Sequence, residues 1–414
     1  MLQAKVMGIL EKWNKYIYSP ELEGRALSNP SILNIKKTGG RIDYIDYLRA
    51  SAVLVMIFAH VLDAVLAPEY KKDDLYRFFN FMNGFVAPAF LFAAGASFTI
   101  VITKRKDDIL NFRFPAFKQL WRVSQIFILG YLLHLPYKTA HQMETIMSEQ
   151  QYLNFLRSDV LHVIAIGLFL SQLIFVIVRN EKKLFIIIFI LALLTIAFTP
   201  FARAYNFESV FPVEIATYFN KNFNSIFPLF PWLSYIFFGS IIMFVIQKYS
   251  AEGKHDAVLT RLLYLGLAVI ILASIPEFIG LKPNEAYNFW HTSSNIVGIK
   301  LGFVLLWMIF MRFLQTKFSY RMKYLKIFGQ EPLFVYVFHL IIVYGSVLST
   351  GLAHSLGRNH TRFEMFLIYL AVVIVSLIFT LVWSRIKKFS LLFARIILFS
   401  ILIYFFHYFT TKLF

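Results

Sequence analysis

The chain of 414 residues is 58% hydrophobic and 18% aromatic, with only 15% charged residues and a mean hydropathy of +0.64. This excludes a soluble globular protein and indicates an integral membrane protein with no soluble module. The absence of cysteine excludes disulfides, thiolate catalysis and cysteine-held metals, and the net charge of +18 does not imply nucleic acid, because the basic residues sort by position.

The first 40 residues lack an uninterrupted apolar core before a cleavage site, so they are expected to stay attached as a cytoplasmic or interfacial segment. Leu2, Val6, Leu10, Trp13 and Ile17 recur at helical spacing among Lys5, Lys12 and Lys15. The pattern suits a helix in the membrane interface or a solvated one packed on the protein. Residues 41–414 then read as one domain. Apolar runs of about 20 residues bounded by charge predict an all-α polytopic fold with about eleven transmembrane helices, near 45–66, 79–101, 116–135, 158–178, 183–202, 227–248, 261–281, 294–315, 327–349, 363–384 and 389–411. If the N-terminus is cytoplasmic, 28 of the 41 lysines and arginines lie in or beside cytoplasmic loops and 11 on the other side, which leaves Arg49 and Lys300 inside spans. This positive-inside bias predicts an N-terminus in and a C-terminus out.

The first span, RIDYIDYLRASAVLVMIFAHVLDAVL from Arg41 to Leu66, carries ionisable groups where lipid would otherwise dominate. Arg49 and His60 are eleven residues apart, so on a helix they lie roughly 20° apart on one face and about 16 Å apart along it. Asp46 and Asp63 fall in the same sector, one turn from Arg49 and His60 respectively. Charges at membrane depth usually face a protein interior or a wet cavity, so the stripe reads as the wall of a site. An anchoring arginine and a packed, hydrogen-bonded histidine would give the same pattern.

The second span is rich in small residues from Gly84 to Ser97, which lets helices approach closely, and it is expected to pack against the first. Asn80 and Asn83 at its outer end suit either acceptor binding or interhelical hydrogen bonding. The connection from Lys104 to Arg122 is basic and amphipathic. It is a solvated positive-inside loop or, through Arg105, Arg113, Lys118 and Arg122, a cradle for the phosphates of coenzyme A, a role for which Lys317 to Lys326 competes. Two long outer segments, Tyr137 to Arg157 and Arg203 to Ser225, are candidates for acceptor recognition. Asp159 and His162 open the fourth span at i, i+3, which fits a carboxylate orienting an imidazole or simply a helix cap. Glu277, His291 and Lys300 lie near outer helix ends, and Lys300 is the most buried candidate of the three. Gln330, Glu331 and His339 are polar groups in the helix of GQEPLFVYVFHL, either structural or site-lining. No motif for a metal or nucleotide hydrolysis is present, and no metal is expected.

The run Ile42 to His60, with Asp46, Leu48-Arg49 and Arg-x10-His, is similar to the first transmembrane helix of acyltransferase-3-type membrane acyltransferases. The segments NGFVAPAFLFAAGASFTI (Asn83 to Ile100), SDVLHVIAIGLF (Ser158 to Phe169) and FPLFPWLSYIFFG (Phe227 to Gly239) resemble bacterial relatives of heparan-α-glucosaminide N-acetyltransferase. Gly329 to Leu340 resembles a late G-x-x-x-L-x-x-Y-x-x-H pattern of the same superfamily. The resemblance implies a multi-pass enzyme, expected in a bacterial inner membrane, moving an acetyl group from cytoplasmic acetyl-CoA to a sugar amine or hydroxyl on the far side; a homodimer is left open. In that chemistry His60 serves as base, Asp63 holds its tautomer, and Arg49 meets a phosphate or the thioester carbonyl. The chain departs from the heparan type in one respect. There the position of His60 is an asparagine and the catalytic histidine lies in the following loop, whereas no histidine occurs here between Val61 and Phe85. This leaves a hydroxyl acceptor open. The alternative from another class is a transporter or flippase for a glycan or lipid precursor, with the stripe lining its pathway.

Overall fold

A backbone in hydrocarbon must satisfy its own hydrogen bonds, and long runs of leucine, isoleucine, valine and phenylalanine do so as helices. The computed structural model describes residues 42–280, 293–318, 322–346 and 349–412. The N-terminal segment 1–40 and His291 lie outside the described residues. The principal helices are α1 Asp43–Val65, α2 Asp74–Asn83, α3 Val86–Lys104, α4 Phe114–Leu132, α5 Val160–Val178, α6 Glu181–Ala204 and α7 Leu229–Ala251, followed by α8 His255–Phe278, α9 Asn295–Phe318, α10 Lys323–Gln330, α11 Pro332–Tyr344, α12 Arg362–Phe389 and α13 Leu391–Thr411. Among the described residues, nine helices are long and apolar enough to cross a membrane, α2 and α3 counting together as Asp74–Lys104. The chain is therefore an all-α multi-pass integral membrane protein.

Two of the eleven predicted spans take a different form. The third is the helix α4, whose Lys118, Gln119, Arg122 and Gln125 dilute its apolar face below that of the other nine. Its Phe117 and Trp121 are nevertheless exposed, at 57% and 64%, as a lipid-facing or interfacial surface would be. The ninth, predicted as one helix over 327–349, is a pair bent by 93° between α10 and α11. Pro332 opens α11, where its missing N–H costs nothing, and α11 ends at Gly345, whose φ of 86° suits glycine.

Helix α1 is central, packing on α3, α9, α10, α11 and α12. The small-residue face of α3 does pack against α1, but its most extensive partner is α7. A Cβ on Gly95 would lie 1.9 Å from the Ile236 carbonyl oxygen, and one on Gly239 would lie 2.0 Å from that of Phe92. The two backbones are in direct contact, and only glycine at both positions permits the crossing. By contrast, α13 lies at the periphery, with Ala394 its only buried residue.

Candidate active site

The polar stripe of α1 is met at both ends by the bent pair. At the first end, Arg49 Nη1 donates to the carbonyl of Gly329 at 2.9 Å and lies 3.3 Å from Asp46 Oδ1. Its Nη2 donates to Ser97 Oγ on α3 at 2.6 Å. The guanidinium expected at the donor is thus committed to joining three helices.

About three turns along α1, His60 Nδ1 lies 3.0 Å from the Tyr344 hydroxyl at the end of α11. Its ring faces that of His339 at a centroid distance of 5.4 Å. His339 is fully buried, and its Nδ1 donates to the Val335 carbonyl one turn earlier at 2.7 Å. That bond leaves the Nε2 lone pair inward, where it is buried and unpartnered. A buried polar atom without a partner costs about 1–3 kcal/mol, and such atoms cluster where a substrate or water completes them.

One turn before His339, the Tyr336 hydroxyl donates to Asp159 Oδ2 at 3.1 Å. Asp159 caps α5, accepting from the Val160 N–H at 2.6 Å, while the backbone N–H of Asp159 donates to His162 Nδ1 at 3.0 Å. The capping role is therefore real, and the same carboxylate also ties α5 to α11. With Nδ1 accepting, His162 Nε2 carries the hydrogen, and it too is buried without a partner. Its ring lies over Gly130 of α4, where a Cβ would come within 2.6 Å of Nε2, and 4.4 Å from the ring of Tyr131. Arg157, just before Asp159, also has a buried unpartnered Nε.

The remaining expected residues are distributed as follows. Asp63 is half exposed and pairs with Lys71 at 3.4 Å and Arg358 at 3.6 Å. The imidazole contact expected of it is made by Tyr344, whose hydroxyl in turn feels the Asp63 charge. Asn80 and Asn83 are exposed on α2, at the same end of the bundle as His60. At the opposite end, Arg105, Lys118 and Arg122 form one cationic cluster, joined by Arg395 of α13. Arg113 instead pairs with Asp108 at 3.4 Å. An apolar groove of about 570 Å³, lined by Leu170, Leu194, Phe198 and Phe237 among others, holds no ionisable group and stands apart from the histidines.

Sequence reasoning missed Tyr344 and Arg157, and it left His339 undecided. A signal for His339 was present in Tyr336-x-x-His339, one helical turn that points both rings the same way. Nothing local marks Tyr344, because its role depends on where the bent pair docks.

The structure thus gathers His60, Asp159, His162, Tyr336, His339 and Tyr344 from three helices widely separated in sequence. The arrangement offers an imidazole with one nitrogen held by a hydroxyl and the other without a partner among the described residues, beside a second, unsatisfied imidazole. This is suited to proton transfer at an acyl-transfer centre. The family model of heparan-alpha-glucosaminide N-acetyltransferase, catalytic, matches residues 41–271. That is more than half of the chain, and it includes His60, Asp159 and His162 but not Tyr336, His339 or Tyr344. No curated protein matches the chain.

Proposed function

From a chain that belongs to the heparan-alpha-glucosaminide N-acetyltransferase catalytic family, and so among membrane acetyltransferases, we propose an enzyme that moves the acetyl group of cytoplasmic acetyl-CoA onto an amine or hydroxyl of a sugar presented across a bacterial inner membrane. The observation that carries this reading is the His60 imidazole, held at Nδ1 by Tyr344 and 5.4 Å between ring centres from His339, whose Nε2 is buried and unpartnered.

In the proposed reaction His60 holds its hydrogen on Nδ1 and donates it to the Tyr344 oxygen, and Tyr344 turns its own hydrogen toward Asp63. Asp63 is then a positioning residue acting through Tyr344. His60 Nε2 takes the proton from the acceptor N–H or O–H as the acceptor attacks the thioester carbonyl carbon. The tetrahedral intermediate collapses by breaking the C–S bond, and the coenzyme A thiolate recovers the proton from the imidazolium. His339 Nε2 can accept a hydrogen bond from a second acceptor hydroxyl and so align it. We assign the phosphates of coenzyme A to Arg105, Lys118 and Arg122, with Arg395, since Arg49 is committed to Asp46, Ser97 and Gly329. Asp159 and His162 support the acceptor side by fixing α5 against α11.

The test is acetyl transfer from acetyl-CoA by purified protein in detergent. His60→Ala should remain folded and lose at least about 100-fold in rate, the lower range for general acid–base catalysis. A folded His60→Ala protein that transfers acetyl groups at the parent rate would refute the assignment.

A further inference from the structure

Helix α6 is apolar along most of its length, and Ile186, Ile190, Leu194 and Phe201 recur on it at helical spacing as exposed residues. In a membrane protein such a face meets lipid tails. The exposed apolar surface does not stop where α6 ends at Ala204. It continues into the connection to α7 through Tyr205, Val210, Phe211 and Ile215.

Ring contacts tie this connection to the two helices it joins. Phe201 stacks on Tyr205 at 5.2 Å, Tyr205 meets Phe207 edge-on at 5.0 Å, and Phe207 stacks on Phe219 at 4.7 Å. Phe219 stacks in turn on Phe211 at 5.6 Å and on Phe230 of α7 at 6.2 Å. Phe230 departs from helical geometry, with φ −99° and ψ 121°, and its ring lies 4.9 Å from that of Phe198 on α6. Phe198 is itself 4.8 Å from Phe201, so the contacts form a closed circuit. Aromatic side chains at the end of a span are favoured in the headgroup interface, and exposed apolar neighbours let such a segment lie within it.

Phe198 and Phe230 also line the apolar groove between α5, α6 and α7. With Leu170, Leu194, Leu233 and Phe237 the groove runs back along α6 as far as Leu191, about 10 Å along the helix or a third of the hydrocarbon thickness. Among the described residues its lining has one hydroxyl, that of Thr195, which donates to the Leu191 carbonyl at 2.6 Å. Water therefore finds no partner in the groove. Left empty, its walls would forfeit dispersion contacts that an alkyl chain supplies. The end lined by Phe198 and Phe230 adjoins the aromatic circuit, where a chain would enter from its headgroup.

We infer that this groove holds one acyl chain of a phospholipid from the leaflet at the His60 end, with the headgroup beside the segment from Tyr205 to Phe219. The far end of the same connection is pinned beside the histidines, since the N–H groups of Ile226 and Phe227 donate to the carbonyl of Ser158, the residue before Asp159. The lipid site stands whether or not the chain transfers acetyl groups.

The experiment is photolabelling of the full chain in phosphatidylcholine vesicles that contain a trace of phosphatidylcholine carrying a diazirine, either midway along one acyl chain or next to the headgroup. Labelled peptides are identified by mass spectrometry. The mid-chain probe should label Leu194 and its neighbours on α6 several-fold more than Ile374 and Ile378, which are as exposed on α12 but lie outside the groove. The headgroup-proximal probe should label Val210 and Phe211 instead. Ala197→Trp and Leu170→Trp each place an indole in the groove and should lower mid-chain labelling of α6 to the level of α12, with α12 unchanged. Two variants are used so that misfolding of one leaves the other to decide. Equal labelling of α6 and α12 in the parent would mean bulk lipid only and overturn the site. Labelling of α6 that survives both substitutions would overturn the groove as its location. An unlabelled α6 beside a labelled α12 would show the groove covered by protein and overturn the lipid as its occupant.

Discussion

Replacing Arg49 with alanine should cost the protein its stability before it costs any contact with coenzyme A. The guanidinium makes two donated hydrogen bonds, at 2.9 Å to Gly329 and 2.6 Å to Ser97, and lies 3.3 Å from Asp46. The Asp46 side chain is only 2% exposed, so deleting Arg49 takes a cation 3.3 Å away from a carboxylate held out of water. Removing one partner of a buried pair costs about 3–5 kcal/mol, whereas an exposed pair is worth roughly 0–1 kcal/mol. Burial selects the larger figure. Arg49→Lys keeps the charge but cannot reach Gly329 and Ser97 with a planar fork, so it should fall between the two. Arg49→Met combined with Asp46→Leu removes both charges and should recover much of the loss, giving a coupling in a double-mutant cycle. The assay is equilibrium unfolding in mixed micelles, with coenzyme A titrated onto the folded fraction of each variant. If Arg49→Ala unfolds within about 1 kcal/mol of the parent and instead loses coenzyme A affinity, the guanidinium is a donor contact and the anchoring argument is wrong.

Three further outcomes are expected. Tyr344→Phe removes one neutral hydrogen bond to His60, worth about 0.5–1.5 kcal/mol, so acetyl transfer should fall roughly 2- to 13-fold; a loss as large as that of His60→Ala would make Tyr344 a direct participant in the chemistry. Arg122→Gln and Arg395→Gln should each weaken coenzyme A binding and flatten its dependence on salt, since exposed charges are screened over about 8 Å at physiological ionic strength; salt-insensitive binding in the parent would remove the phosphates from this cluster. Because the chain has no native cysteine, Glu208→Cys should react with an impermeant maleimide added outside cells and Gly253→Cys should not; the reverse pattern would invert the topology.

The fold was legible in the sequence wherever one physical rule dominates. Nine runs were apolar enough that lipid burial alone makes them helices. The rule blurs at α4, where Lys118 and Arg122 serve an end-of-membrane charge cluster on a helix that otherwise packs like a span. It fails at residues 327–349, where hydropathy is continuous but the backbone turns by 93°. Pro332 permits a break there, yet nothing local sets its angle. The site divides in the same way. Arg49 and His60 could be paired from their shared helix face, and Asp159 with His162 from i, i+3 spacing, because helical geometry fixes both. That His60 meets Tyr344 and not Asp63 could not be read, because it depends on Lys71 and Arg358 drawing the carboxylate away and on α11 ending beside α1.

The bent pair explains why a stripe about 16 Å long can act as one unit. Its first arm delivers the Gly329 carbonyl to Arg49, and its second arm delivers His339 and Tyr344 to His60. The elbow between them is held from outside by the ion pair of Glu331 with Lys387 of α12. Gly329 fits against α1 only because it has no side chain, since a Cβ there would sit 1.8 Å from the Asp46 carbonyl oxygen. The end that holds Arg49 and the end that holds His60 are therefore contacted by the two arms of one bent pair. A displacement of α10 at the Arg49 end is expected to be carried through the elbow to the imidazole, since packed helices shift as units and do not deform continuously. In the proposed reaction the donor comes from one side of the membrane and the acceptor from the other, and among the described residues α10 meets α1 at Arg49 while α11, joined to it at the elbow, meets α1 at His60, so the pair spans the distance between the two.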